Sequence, residues 1–74
     1  MPELPHISGR EAIRALERLG FNRVRQKGSH VVLRRGSVGC VIPLHKSLAT
    51  GTLRSAIRQA EITTDEFVNA VKGK

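Results

Sequence analysis

Apolar residues along this chain change their spacing twice, which divides it into three segments. Between Ile7 and Leu19 the residues Ala12, Ile13, Leu16 and Leu19 recur at intervals that place them near one face of a helix. Arg10, Arg14, Glu17 and Arg18 point elsewhere. Ser8 followed by Glu11 predicts a capping box at the helix start, with Ile7 free to staple onto Ala12. Gly20 predicts a left-handed stop. Met1 to Ile7 reads as a flexible lead-in, because Pro2 and Pro5 oppose regular structure.

After Phe21 the pattern shortens to the alternation of strands. Asn22 to Gln26 is the first, with Arg23 and Arg25 expected on one face and Val24 on the other. Lys27-Gly28-Ser29 turns the chain, Gly28 being able to take the positive φ of a tight hairpin. His30 to Arg34 is the second strand, rich in β-branched residues. If Val31 and Leu33 face the helices, then His30, Val32 and Arg34 face away. Arg35-Gly36-Ser37 makes the second turn. Val38 to Ile42 is the third strand, and Pro43 ends it or marks its edge.

The helical period then returns. Leu44 to Thr50 reads as a loop with room for one turn of helix at Lys46-Ser47-Leu48. A helix opens at Thr50 or Gly51 and carries the stripe Leu53, Ala56, Ile57, Ala60, with Arg54 and Arg58 as a basic ridge one turn apart. Thr63 and Glu66 predict a second capping box, Ile62 stapling onto Phe67, and Phe67, Val68 and Val71 complete the apolar face. Gly73-Lys74 should fray. So small a chain cannot cover both faces of a three-stranded antiparallel sheet. The expected fold is therefore α+β, a two-layer α-β-β-β-α(α) sandwich with the helices on one face and the other face left to solvent or a partner.

Length and composition narrow the function. The 74 residues make one domain, spanning 1–74, that buries only about 60% of the surface exposed when unfolded. The single cysteine, Cys40, excludes a disulfide framework and a cysteine-pair zinc site and suits a reducing cytoplasm. No apolar run approaches the roughly 20 residues of a membrane span, and the N-terminus lacks the basic and apolar regions of a signal peptide. The formal charge is +7. Its placement matters more than its size: Arg18, Arg23, Arg25, Lys27, Arg34, Arg35, Lys46, Arg54 and Arg58 fall in a stretch from Arg18 to Ala60 without an Asp or Glu. A basic surface without counter-charges is the footprint of a phosphate-backbone binder. The chain has no Trp or Tyr, which argues against base-stacking platforms, so recognition should lean on backbone and shape.

The candidate chemistry lies at Arg25-Gln26-Lys27-Gly28-Ser29-His30. Ser29 can bind a phosphate oxygen or brace the turn. Imidazole is the side chain best suited to exchange protons near neutral pH. RNA carries its own nucleophile: a base that takes the 2′-OH proton lets that oxygen attack the adjacent phosphorus. The chain has histidines and cations but no carboxylate cluster to hold Mg²⁺, so its chemistry is expected to need no metal and no cofactor. The residues alone leave His30 either as a strand-start histidine with no task or as an acid–base group. Lys27 is a solvated turn lysine or a phosphate contact. His45 is a loop histidine or a second acid–base group near His30. Arg54 and Arg58 are a solvated ridge or RNA contacts. His6 is expected to be idle and Cys40 to be a small buried strand residue.

Ser8-Gly9, the Arg25–His30 run, Ile42-Pro43-Leu44-His45, Gly51-Thr52-Leu53-Arg54-Ser55 with Arg58-Gln59-Ala60, and Ile62-Thr63-Thr64-Asp65-Glu66-Phe67 together closely resemble the HicA family of toxins. The resemblance spans nearly the whole chain, and Gln-Lys-Gly-Ser-His followed by Gly-Thr-Leu-Arg-Ser is specific. It implies a fold like the double-stranded-RNA-binding domain and mRNA interferase activity, with the active histidine of the Gly-Ser-His motif falling on His30. It also implies a HicB-type antitoxin partner that masks the active face. Two positions depart from the pattern: Glu61 stands where the family usually carries Gly, and Val31 and Val32 stand where a second histidine or an aromatic often follows. The expected site is thus catalytic His30, with Arg25, Lys27, Gly28, Ser29, Arg34, His45, Lys46 and Arg54 holding RNA. A non-catalytic RNA-binding module of the same fold, or a unit whose basic face binds only an acidic protein, is the alternative.

Overall fold

The structure, a computed structural model, describes residues 4–73. The expectations for Pro2 and Lys74 lie outside this range. The order is α1 (Gly9–Arg18), β1 (Asn22–Lys27), β2 (His30–Arg35), β3 (Val38–Pro43), α2 (Thr50–Gln59) and α3 (Thr64–Val71). The strands form one antiparallel sheet in the order β1-β2-β3, and the fold is the α+β arrangement expected.

Local chemistry explains most element ends. Both predicted capping boxes form, Ser8 with Glu11 and Thr63 with Glu66. Gly20 closes α1 at φ 96°, and the amides of Gly20 and Phe21 donate back to Glu17 O and Leu16 O, each at 3.0 Å. This paired pattern is a Schellman motif. Gly28 and Gly36 open the two hairpin turns at φ 59° and 63° while Ser29 and Ser37 keep negative φ, the pattern of type II′ turns.

The core fills the space between sheet and helices. Ile13 and Leu16 of α1, Val31 and Leu33 of β2, Cys40 and Ile42 of β3, Leu53 and Ile57 of α2, and Phe21 and Phe67 are all buried. No charged or polar residue is buried among those described. Arg18 ties α1 to α3 by donating to Ala70 O at 2.7 Å. Arg35 donates to Leu19 O at 2.8 Å and lies over the Phe21 ring at 4.8 Å.

Three local expectations need correction. Arg23 and Arg25 do not share a face, because the β1–β2 register shifts between them: Arg23 pairs with Leu33 and Arg25 with Val32. Val24 is the extra residue of a β-bulge. Arg23 therefore turns to the helix side, where its Nε lies 3.5 Å from Glu17, and Arg25 stays on the open face. Lys46 and Ser47 form a bend rather than a turn of helix, because the Leu48 amide donates to Ile7 O at 2.9 Å instead of to a local carbonyl. That bond, with Ile7 buried and Leu4 packed on the core, makes Leu4–Ile7 a packed segment.

Candidate active site

His30 begins β2 and stands directly opposite Lys27 on β1 and Pro43 on β3. Opposed residues in an antiparallel sheet point the same way. Because Val31 is buried against the helices, His30 and Lys27 lie exposed on the other, open face, and Pro43 shares their side of the sheet but is itself buried. One step along, Arg25, Val32 and Val41 share this face, and Arg34 follows with Asn22 and Gly39. Val24 and Val41 are the exposed large apolar residues, at 53% and 39%. Arg25 and Arg34 flank Val24 and Val32 in a shallow depression on this surface.

The ladder continues past the end of β3. The Leu44 amide donates to Ser29 O at 2.6 Å, so the Gly28-Ser29 turn is tied to the chain leaving the sheet. Leu44 turns to the helix side, into a cleft with Arg10, Arg14 and Arg23. The next residue, His45, returns to the side of Pro43 and His30.

Helix α2 completes the site. The Val41 amide on the outer edge of β3 donates to Gln59 Oε1 at 3.3 Å, which pins α2 along that edge. A groove of about 650 Å³ opens between them, lined by His30, Val41, Pro43 and His45 on one side and by Ala49, Gly51, Thr52, Ser55, Ala56 and Gln59 on the other. Its polar wall is made of hydroxyl, amide and imidazole groups, without a carboxylate. The first turn of α2 also faces this space. Its N-cap is Ala49, no side chain caps it, and it holds no acidic residue, so the first amides of the helix lack side-chain acceptors.

The expected site residues therefore separate by position. His30 and His45 share the groove, and Lys27 adjoins it by strand register. Gly28 and Ser29 shape the turn behind His30. Lys46 is exposed in the bend beside His45. Arg25 and Arg34 lie farther across the open face. Arg54 is exposed on α2 but does not line the groove. Cys40 faces the core, and burial pushes its thiol up to about 11, which keeps it an unreactive thiol at neutral pH.

Sequence reasoning missed Thr52, Ser55 and Gln59 on the groove wall. The available signal was their own spacing, a polar stripe at i, i+3 and i+7 beside the apolar one. It also missed Gly9. A glycine in the first turn of a helix is a poor helix former, and here a Cβ would overlap Pro43 O and sit 2.9 Å from Leu44 Cα.

The family model of the HicA toxin of bacterial toxin–antitoxin systems matches residues 9–62, a span that holds α1, the whole sheet and α2. The chain belongs to the HicA toxin family, whose members act within toxin–antitoxin pairs. A search of curated proteins finds no match. Among the described residues no helix is long and apolar enough to cross a membrane.

Proposed function

We propose that the chain is a single-domain toxin that acts in the cytoplasm as an endoribonuclease. It cleaves mRNA without a metal and so stops translation, and a HicB-like antitoxin masks the same face. His30 transfers a proton in the reaction. The 2′-oxygen attacks the adjacent phosphorus, the P–O5′ bond breaks, and the products are a cyclic phosphate and a 5′-OH. Lys27, Gly28, Ser29 and Lys46 hold the phosphates nearest the cut, and Arg25, Arg34 and Arg54 guide the strand beyond it.

The observation that carries this reading is the setting of His30. It opens onto a groove that mixes apolar side chains with hydroxyl, amide and imidazole groups instead of into the core, with a lysine directly cross-strand. A histidine that only packed would have no need of that groove. Cations and free amides beside the reacting phosphate favour the charge that develops there. A positioned proton-transfer group contributes roughly 10²–10⁴-fold.

The test is RNA decay with wild type and His30→Ala in EDTA, both checked for folding by circular dichroism. Cleavage by wild type alone is expected, with the loss in the range above. Equal cleavage by both would move the chemistry off His30. RNA retained without cleavage by either protein, in a ribosome-containing assay as well, would identify a non-catalytic RNA-binding module.

A further inference from the structure

We infer that His45 is the second proton-transfer residue of this site and that Gly9 is the positioning residue that holds it. The inference rests on the ribonuclease reading above and adds the partner that His30 needs. Transesterification moves two protons, one away from the 2′-OH and one onto the departing 5′-oxygen, and a single imidazole does not reach both at once.

Four features of the structure lead to His45. His30 and His45 line the same groove. Strand alternation, carried two residues past β3 with the Leu44–Ser29 bond between, places both on the same side of the sheet. The side-chain hydrogen bonds of the described residues involve neither imidazole, so both ring nitrogens are available to substrate. No other titratable side chain lines the groove. Lys27 lies cross-strand from His30, and Lys46 is next to His45 in the chain. α2 contributes Thr52, Ser55 and Gln59, and the outer strand contributes Val41 and Pro43.

The segment carrying His45 is irregular, yet backbone bonds fix it at three points. Leu44 N donates to Ser29 O at 2.6 Å, Gly9 N to His45 O at 2.9 Å, and Leu48 N to Ile7 O at 2.9 Å. Gly9 makes the central bond possible. A Cβ there would overlap Pro43 O and lie 3.0 Å from Pro43 C and 2.9 Å from Leu44 Cα. Any larger residue would push the start of α1 and this segment apart and break the bond that holds the His45 backbone.

In the reaction one imidazole accepts the 2′-OH proton as the O2′–P bond forms. The other, as imidazolium, gives its proton to O5′ as the P–O5′ bond breaks. One proton is taken and one returned, so charge and atoms balance.

The experiment compares wild type, His30→Ala, His45→Ala and Gly9→Ala on two oligoribonucleotides. One is ordinary RNA. The other carries a 5′-bridging sulfur at the bond that wild type cleaves, a leaving group that departs without an acid. On ordinary RNA, His45→Ala should lose about 10²–10⁴-fold in kcat with binding retained, and one limb of the pH–rate profile should disappear. On the sulfur substrate, one of the two histidine variants should recover to within about tenfold of wild type, since it lacks only the acid that sulfur makes unnecessary. Gly9→Ala should lower kcat with little change in KM. If Gly9→Ala fails to fold, the two histidine variants decide the question alone. Near-wild-type activity of His45→Ala, or recovery of neither variant on the sulfur substrate, overturns this inference while loss of activity in His30→Ala leaves the ribonuclease reading in place. Wild type that cleaves neither RNA overturns both.

Discussion

Helices α1 and α2 have the same length and similar apolar stripes, but they end differently. α1 opens with a capping box and closes with a Schellman motif on Gly20. α2 opens at Ala49 with no side-chain cap. It closes with the same paired bonds, Glu61 N to Arg58 O at 3.1 Å and Ile62 N to Ile57 O at 3.4 Å, but with Glu61 forced to φ 56°. A residue other than Gly, Asn or Asp is costly there. α1 is thus stabilised by its own sequence, whereas α2 is held from outside by core contacts and by Gln59 on the edge of β3. The helix that forms the groove wall is the one whose start no side chain caps and whose end is closed by a strained residue.

The largest test of this contrast lies in the core. Leu16→Ala in α1 should cost about 2–5 kcal/mol, measured by chemical denaturation, and should lower activity only through loss of folded protein. A specific activity per folded molecule that also collapsed would mean that α1 does more than support. Next is Ala49→Asp, which supplies the missing cap. It should stabilise the protein by about 0.5–2 kcal/mol and slow RNA cleavage by about tenfold at low salt, by placing a negative charge where phosphate approaches. A gain in stability with unchanged cleavage would show that the open start of α2 has no part in function. Ser8→Ala removes a cap outside the groove and should cost about 1 kcal/mol. Glu61→Gly should raise stability by about 1 kcal/mol, since glycine takes the left-handed conformation without strain. A fall in melting temperature would place the value of Glu61 elsewhere.

The smallest effect is one of pH at the start of α3. Hydrogen bonds from the Thr63 amide, then from its hydroxyl, hold the Glu66 carboxyl below the usual carboxylate range. A depressed folded-state value means that its stabilisation is complete above the ordinary range and is lost as pH falls through the folded value. Glu66→Gln should flatten that acid limb in a series of melting curves, and an unchanged limb would assign it to other carboxylates.

What the sequence revealed depended on how local each feature is. The capping boxes, the Gly20 stop and both Gly-Ser turns rest on residues within a few positions of one another, and all were legible. The bulge at Val24 was not, because it is a property of two paired strands and carries no Gly or Pro. It moved Arg23 away from Arg25. Arg18 and Arg35 counted as free surface charge until the fold gave them carbonyls at Ala70 and Leu19. His30 was legible as a candidate from its place at a turn. Whether His45 stood near His30 stayed open between two readings, because their common groove needs the register of β3, the bond from Gly9 and the lie of α2 together.

The bond from Arg18 to Ala70 joins residues 52 positions apart, and this separation bears on how the molecule is made. The meander is built from hairpins that close over a few residues and can form early. The α1 surface that receives Phe67 and Ala70 stays open until α3 exists. On a ribosome, where the chain emerges from its N-terminus, the sheet is available before α3, and the docking that completes the core waits for that helix. An interrupted chain lacking α3 would leave apolar surface bare, a target for proteolysis rather than a stable toxin.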